Sequence, residues 1–189
     1  MPTTLGTRIG LYNSDELKTV IQEMARATAG MIQEADKVAI VGIKRRGAPL
    51  ADRLTEHLVK DHGVAQPLRL DLQVKRYADD LTLLYPNTEL TEQAQHATLD
   101  LKGYALVVVD DVLYTGHSIL KVVEYLSRKQ PAFIRVAMLV DRGMSLLPMR
   151  ADVVGVQLEV SPADIIECHV PPYEAEFKIE LLKPVRLAD

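Results

Sequence analysis

Apolar side chains recur at offsets of three and four from Leu17 through Val20, Ile21, Met24, Thr28, Met31 and Ile32, which predicts one amphipathic helix ending near Glu34. Asn13 with Glu16 three residues on has the form of a capping box that starts it. The pattern then changes to a continuous β-branched run, Val38-Ala39-Ile40-Val41-Gly42-Ile43, as in a strand buried on both faces of a parallel sheet. A basic loop, Lys44-Arg45-Arg46-Gly47, follows, and Pro49 suits the first position of a second helix whose stripe is Leu50, Leu54 and Leu58. Leu68–Val74 reads as a strand, Tyr104–Val109 as the most apolar strand, Gly116–Arg128 as a helix and Phe133–Val140 as another strand. Three short β-like runs, Val153–Val156, Ile165–Cys168 and Phe177–Leu182, are separated by Ser161-Pro162 and Pro171-Pro172. Between Lys75 and Thr98 the chain is polar and poorly periodic, which in a compact domain marks either a lid or a protruding hairpin.

Strands alternating with helices imply right-handed βαβ units and a parallel sheet covered on both faces. Ligands of such sheets sit beyond the carboxyl ends of the strands. Three loops qualify: Lys44–Gly47, Asp110–Ser118 and Asp141–Gly143. The 189 residues are expected to form one domain, with a lid over about 75–98 and a small β-rich hood over about 156–189. No apolar stretch approaches the roughly 20 residues that cross a bilayer, and mean hydropathy is +0.02.

Charge qualifies this picture. A net of −4 without tryptophan argues against a polyanion binder, yet residues 1–70 carry ten Lys/Arg against eight Asp/Glu. The basic surplus therefore lies in the first third. A single cysteine, Cys168, excludes an intrachain disulfide, and no metal-ligand spacing of Cys and His occurs. With no secretory pattern at Met1–Thr7, the expected location is the cytoplasm.

The chemistry concentrates in Val109-Asp110-Asp111-Val112-Leu113-Tyr114-Thr115-Gly116-His117-Ser118. Two adjacent carboxylates after a buried strand are costly unless paired or bound, and side by side they suit the vicinal hydroxyls of a ribose. The turn after them opens a helix, where backbone N–H groups and the positive end of the dipole suit a phosphate monoester. The competing reading is that Thr115 caps the helix, Gly116 eases the turn and both aspartates are solvated.

This string resembles the phosphoribosyl-diphosphate (PRPP) binding motif of type I phosphoribosyltransferases. Within that superfamily it is most similar to the PyrR family of pyrimidine-operon attenuation regulators with uracil phosphoribosyltransferase activity, whose motif agrees over positions 109–116. Val41–Ala51 and Val140–Gly143 with Leu147–Gly155 resemble the family as well. The resemblance implies a twisted parallel sheet flanked by helices, with a hood and a long lid loop. It implies a nucleobase phosphoribosyltransferase, converting uracil and PRPP to UMP and diphosphate with Mg2+. Asp110 and Asp111 would hold the ribose hydroxyls, and Val112, Leu113, Tyr114, Thr115, Gly116, His117 and Ser118 would complete the ribose and 5′-phosphate site. Lys44, Arg45, Arg46 and Gly47 would hold diphosphate, with Lys75, Arg76 and Arg142 joining them. Asp110, Asp111 and Arg76 are the candidate catalytic residues, and Asp141 the candidate metal ligand. As bare residues, Lys44–Arg46 equally suit an exposed basic turn, and Asp141-Arg142 a salt-bridged loop.

Departures from the family fall at three places. His117-Ser118 replaces Arg-Thr; Lys75-Arg76-Tyr77-Ala78-Asp79-Asp80 replaces Leu-Tyr-Arg-Asp-Asp; and Val156–Pro162 lacks the Pro-Thr-Ser of the base-recognising region, leaving Val160 and Ser161 as the candidate base contacts. The family also implies a homodimer or higher homo-oligomer with a basic face for pyrimidine-leader RNA, to which Arg8, Lys18 and Arg26 would contribute. Two alternatives stay open: a purine-base transferase, and an RNA-binding regulator with weak or lost catalysis. The histidines His57, His62, His96 and His169 show no ligand spacing and read as surface or packing residues.

Overall fold

A computed structural model of the chain describes residues 6–75, 89–91 and 99–185. The first helix, α1 (Ser14–Ile32), begins as expected, since the Asn13 side chain accepts from the backbone N–H groups of Asp15 and Glu16, and Glu16 Oε2 accepts from Asn13 N at 2.8 Å. Leu17, Ile21, Met24, Ala25, Thr28 and Ile32 form its buried stripe. Strand β2 (Val38–Lys44) runs through the basic loop into α2 (Gly47–His62), then β3 (Leu68–Lys75) and a short β4 (Glu89–Thr91). The second helix begins at Gly47, so Pro49 is its third residue and not its first; an unused N–H is tolerated anywhere in that first turn.

The central strand is longer than expected. It spans Ala105–Leu113 (β5), and Asp110 and Asp111 lie within it. Helix α3 (His117–Ser127), β6 (Phe133–Asp141) and β7 (Val153–Gln157) follow. β3, β2, β5, β6 and β7 pair in parallel in that order, and β4 adds antiparallel to β3. The period-two alternation of β5 sends Val107 and Val109 into one core with Ile40, Leu139, α1 and α2, and Leu106 and Val108 into the other with Val41, Met138 and α3. Both faces are therefore covered, as the continuous apolar runs required.

A second, antiparallel sheet has the order β1-β9-β8, made of β1 (Gly6–Tyr12), β9 (Lys178–Pro184) and β8 (Ile165–His169). The periodicity gave no sign of β1, because it is largely exposed and its register is set by β9, far away in sequence. Of the three late β-like runs, only the last two join this sheet. Val153–Gln157 instead extends the main one.

The order of the main sheet positions the cleft. From β2 the chain crosses through α2 to β3 on one side; from β5 it crosses through α3 to β6 on the other. The connections thus diverge between β2 and β5, the switch point at which open α/β sheets bind ligands.

Candidate active site

At the carboxyl end of β2, Lys44-Arg45-Arg46 turns directly into α2, and the Lys44–Arg45 peptide is cis. Gly47 brings this turn against β5: a Cβ there would lie 2.5 Å from the carbonyl oxygen of Val109 and 3.0 Å from Asp110 Cα. Only a residue without a side chain permits that approach. The basic loop and the acidic pair are consequently neighbours.

Asp110 and Asp111 are 3% and 8% exposed. Local backbone stabilises them, since Asp110 Oδ1 accepts from Asp111 N and Asp111 Oδ1 from Val112 N, both at 2.9 Å. Asp111 Oδ2 also lies 3.9 Å from Arg46 Nη1. Beyond them Gly116 caps α3 with φ +87°, a conformation that glycine adopts without strain. The turn is braced from below, where Ser145 Oγ and Leu146 N donate to the Thr115 carbonyl at 3.3 and 3.2 Å. His117 Nδ1 is 3.1 Å from Thr115 Oγ1. Asp110, Val112, Leu113, Tyr114, Thr115, Gly116 and Ser118 line a small pocket there.

Two residues at this site carried no sequence signal. Glu174, in the turn after Pro171-Pro172, takes Arg46 Nη2 at 2.6 Å and accepts from Val170 N at 2.8 Å, and the ring of Tyr173 lies 5.2 Å from the Arg45 guanidinium. Burial by itself would lower the Arg46 pKa; the hydrogen bond to Glu174 and the charge of Asp111 outweigh it and hold the guanidinium raised. Burial likewise favours protonated Glu174, but Arg46 and the Val170 N–H keep its carboxyl below the ordinary 4.5. A depressed folded-state value means that the pair stabilises the fold above pH 4.5 and loses that stability as pH falls through the lower native value. Glu174→Gln should therefore cost on the order of 1 kcal/mol at pH 7 and progressively less as pH falls below 4.5, a convergence that chemical denaturation across that range would check. Cys168, behind the cleft, is buried, and burial followed by the charge of Asp111 pushes its thiol up well above the usual range. It is a packing residue.

Other expected site residues fall into place unevenly. Asp141 ends β6 opposite Leu113, and its Oδ1 accepts from Gly143 N at 2.8 Å. Val160 packs partly against the first core, and Ser161 is exposed beside it. Lys75 closes β3, but Arg76 and most of the expected lid lie outside the described residues. Arg142 does not extend the basic loop: it is 2% exposed and donates through Nη2 to the Ser161 carbonyl at 3.1 Å, so its guanidinium is not presented to a diphosphate. Nor does Asp141-Arg142 form a salt bridge among the described residues. Arg8, Lys18 and Arg26 are each matched to an acid, Glu167, Asp15 and Glu23, at 2.7 to 2.8 Å. Among the described residues, His169 is the one histidine drawn into a cluster that the sequence hid: strand pairing sets Glu167 against Glu180, and His169 Nε2 lies 2.9 Å from Glu180 Oε2. Arg8 and Lys178 already match those two carboxylates.

Comparison with known proteins agrees with this geometry. Residues 13–176 match the family model described as the phosphoribosyl transferase domain. The chain is 30% identical over 175 residues to the bifunctional protein PyrR of Clostridium perfringens, covering 92% of this chain and 97% of that one. It is 33% identical over 172 residues to the bifunctional protein PyrR of Thermus thermophilus, covering 90% and 93%. Among solved structures, hypoxanthine phosphoribosyltransferase of Trypanosoma cruzi in complex with the product IMP superposes with a TM-score of 0.74 at 17% identity, covering 95% of each chain, and so shares the fold. Family model, full-length relatives and fold coincide: the chain belongs to the phosphoribosyl transferase family.

Proposed function

We propose that this protein transfers the ribosyl 5-phosphate of PRPP to a ring nitrogen of a nucleobase, with uracil the preferred base, and releases diphosphate. The observation that carries the reading is the convergence, at the β2/β5 switch point, of the Arg45–Arg46 loop, the buried Asp110–Asp111 pair and the glycine-led start of α3. Each suits one part of PRPP: cations for diphosphate, adjacent carboxylates for the two ribose hydroxyls, and a helix N-terminus for the 5′-phosphate. Uracil is supported by the resemblance to PyrR proteins over most of the chain.

In the reaction the bond from C1 of the ribose to a diphosphate oxygen breaks as the bond from C1 to the base nitrogen forms, and the proton of that nitrogen is released. Positive charge develops on the ribose ring and negative charge on the leaving group. Asp110 and Asp111 orient the sugar and lie near its growing positive charge, while Arg45 and Arg46 offset the diphosphate. Because Glu174 and Tyr173 hold the two arginines before substrate arrives, little reorganisation is left for the transition state. The carboxylates of Asp110, Asp111 and Asp141 are hard oxygen donors of the kind that suit Mg2+, which when bound would neutralise the diphosphate further. The one-to-one pairing of Arg8, Lys18 and Arg26 with acids leaves the transferase reading better supported than RNA binding.

Diphosphate release measured with PRPP, Mg2+ and a panel of bases tests the proposal. Uracil is expected to turn over fastest. Turnover with hypoxanthine or guanine in its place would transfer the reading to purines, and no release with any base would overturn it.

A further inference from the structure

Among the described residues, Arg142 is a buried cation without a countercharge. It follows the last residue of β6, is 2% exposed, and forms no ion pair with a carboxylate among the described residues. Burying a guanidinium is costly unless its charge and donors are matched. Nη2 reaches the Ser161 carbonyl at 3.1 Å and Met144 Sδ at 3.6 Å, but Nε has no hydrogen-bond partner among the described residues. The guanidinium lies 4.1 Å from the centroid of the Tyr114 ring, close for a cation over an aromatic face. Ser161 is in the segment between β7 and β8, whereas Tyr114 is in the turn that opens α3. One side chain therefore bridges two segments that no backbone hydrogen bond joins among those described.

We propose that Arg142 is a positioning residue that couples the two halves of the site, joining the sugar-phosphate turn at Tyr114 to the base-side segment at Ser161. This inference rests on the transferase reading. A planar guanidinium can take a ring on its face and a carbonyl at its edge at once, which an ammonium cannot do with the same directionality. A phosphate bound at the turn supplies negative charge near Arg142 and favours the stacked, Ser161-bound arrangement. A base held by the Ser161 segment then meets a wall already in place. Coupling of this kind is reciprocal, so each ligand should tighten the other equally.

Ribose 5-phosphate and uracil test this without catalysis, because no leaving group is present and the two cannot react. Calorimetric titration of uracil, or of whichever base the turnover screen identifies, is expected to show at least about fivefold tighter binding with saturating ribose 5-phosphate. The factor should fall to near one in Arg142→Met. It should survive in Tyr114→Phe, which keeps the ring, and disappear in Tyr114→Leu. Unchanged coupling in Arg142→Met overturns the inference; if that variant does not fold, equal coupling in the two Tyr114 variants overturns it. A wild-type protein that binds both half-ligands without coupling also overturns it while the transferase reading stands. Failure of the wild type to bind ribose 5-phosphate at all would overturn both.

Discussion

Asp111→Asn is expected to lower kcat/KM for PRPP by about 100-fold while leaving the fold intact. The substitution preserves shape, and an amide oxygen can still accept from Val112 N as Asp111 Oδ1 does at 2.9 Å. What disappears is the negative charge, and with it a charge-assisted hydrogen bond to a ribose hydroxyl and the attraction to Arg46 Nη1 3.9 Å away. Hydrogen bonds to charged groups contribute about 1.5–3 kcal/mol, and the upper end of that range corresponds to about 100-fold in rate. Some of the loss should appear in kcat, because the carboxylate is worth more when the ribose carries developing positive charge than in the ground state. Steady-state kinetics with the melting temperature as control would check it. A folded variant with wild-type kcat/KM removes Asp111 from the ribose site.

Gly47→Ala should act through geometry instead of charge. The new methyl would sit 2.5 Å from the Val109 carbonyl oxygen and 3.0 Å from both Asp110 Cα and Asp110 Oδ1. These atoms belong to the central strand of the sheet, paired on both sides, so the loop must give way and not the strand. Overpacking of this type costs about 1–3 kcal/mol, which in a chain of this size lowers Tm by about 2–4 °C for each kcal/mol. The loss of activity should be larger than the loss of stability suggests: moving Arg45 and Arg46 by about 1 Å relative to Asp110 and Asp111 costs about 100-fold in positioning. Gly30→Ala, on α1 with open space around the added methyl, is the matched control: it should leave kcat/KM unchanged and raise Tm slightly, because alanine is the better helix former. Equal behaviour of the two variants would show that close contact between the basic loop and β5 is unimportant.

The two devices on which these predictions rest were legible to different degrees. The basic loop and the acidic pair stood out because each follows a continuous apolar run, and a parallel strand must end near its ligands. The extent of β5 did not stand out. Asp110 and Asp111 look like the end of a strand, yet the strand continues to Leu113 because Asp110, Val112 and Leu113 keep pairing with Met138, Val140 and Asp141 of β6, while the two carboxylates take neighbouring backbone N–H groups. Glu174 was invisible for another reason: it lies 128 residues from Arg46, and an isolated glutamate after two prolines has no periodicity to report. Arg142 reads in sequence as one more cation beside an aspartate. Its burial depends on how Tyr114 and Ser161 close around it.

By itself, the sequence determined where α1, α2, α3 and the parallel strands of the main sheet lie, apart from the extent of β5, which faces they bury, and which loops carry the candidate basic and acidic residues. Those properties are local: a helix or strand reveals its buried face through its own period, and a capping box or glycine turn is complete within a few residues. Only the tertiary structure decided that Gly6–Tyr12 and Lys178–Pro184 form one sheet, that Glu174 and Tyr173 hold the two arginines, and that Arg142 packs against Tyr114 and not with the Lys44–Arg46 loop. Period shows that a face is covered but not by what. The partner is chosen when distant segments meet, and a charged side chain is assigned to solvent, ligand or interior only once its neighbours have excluded or admitted water.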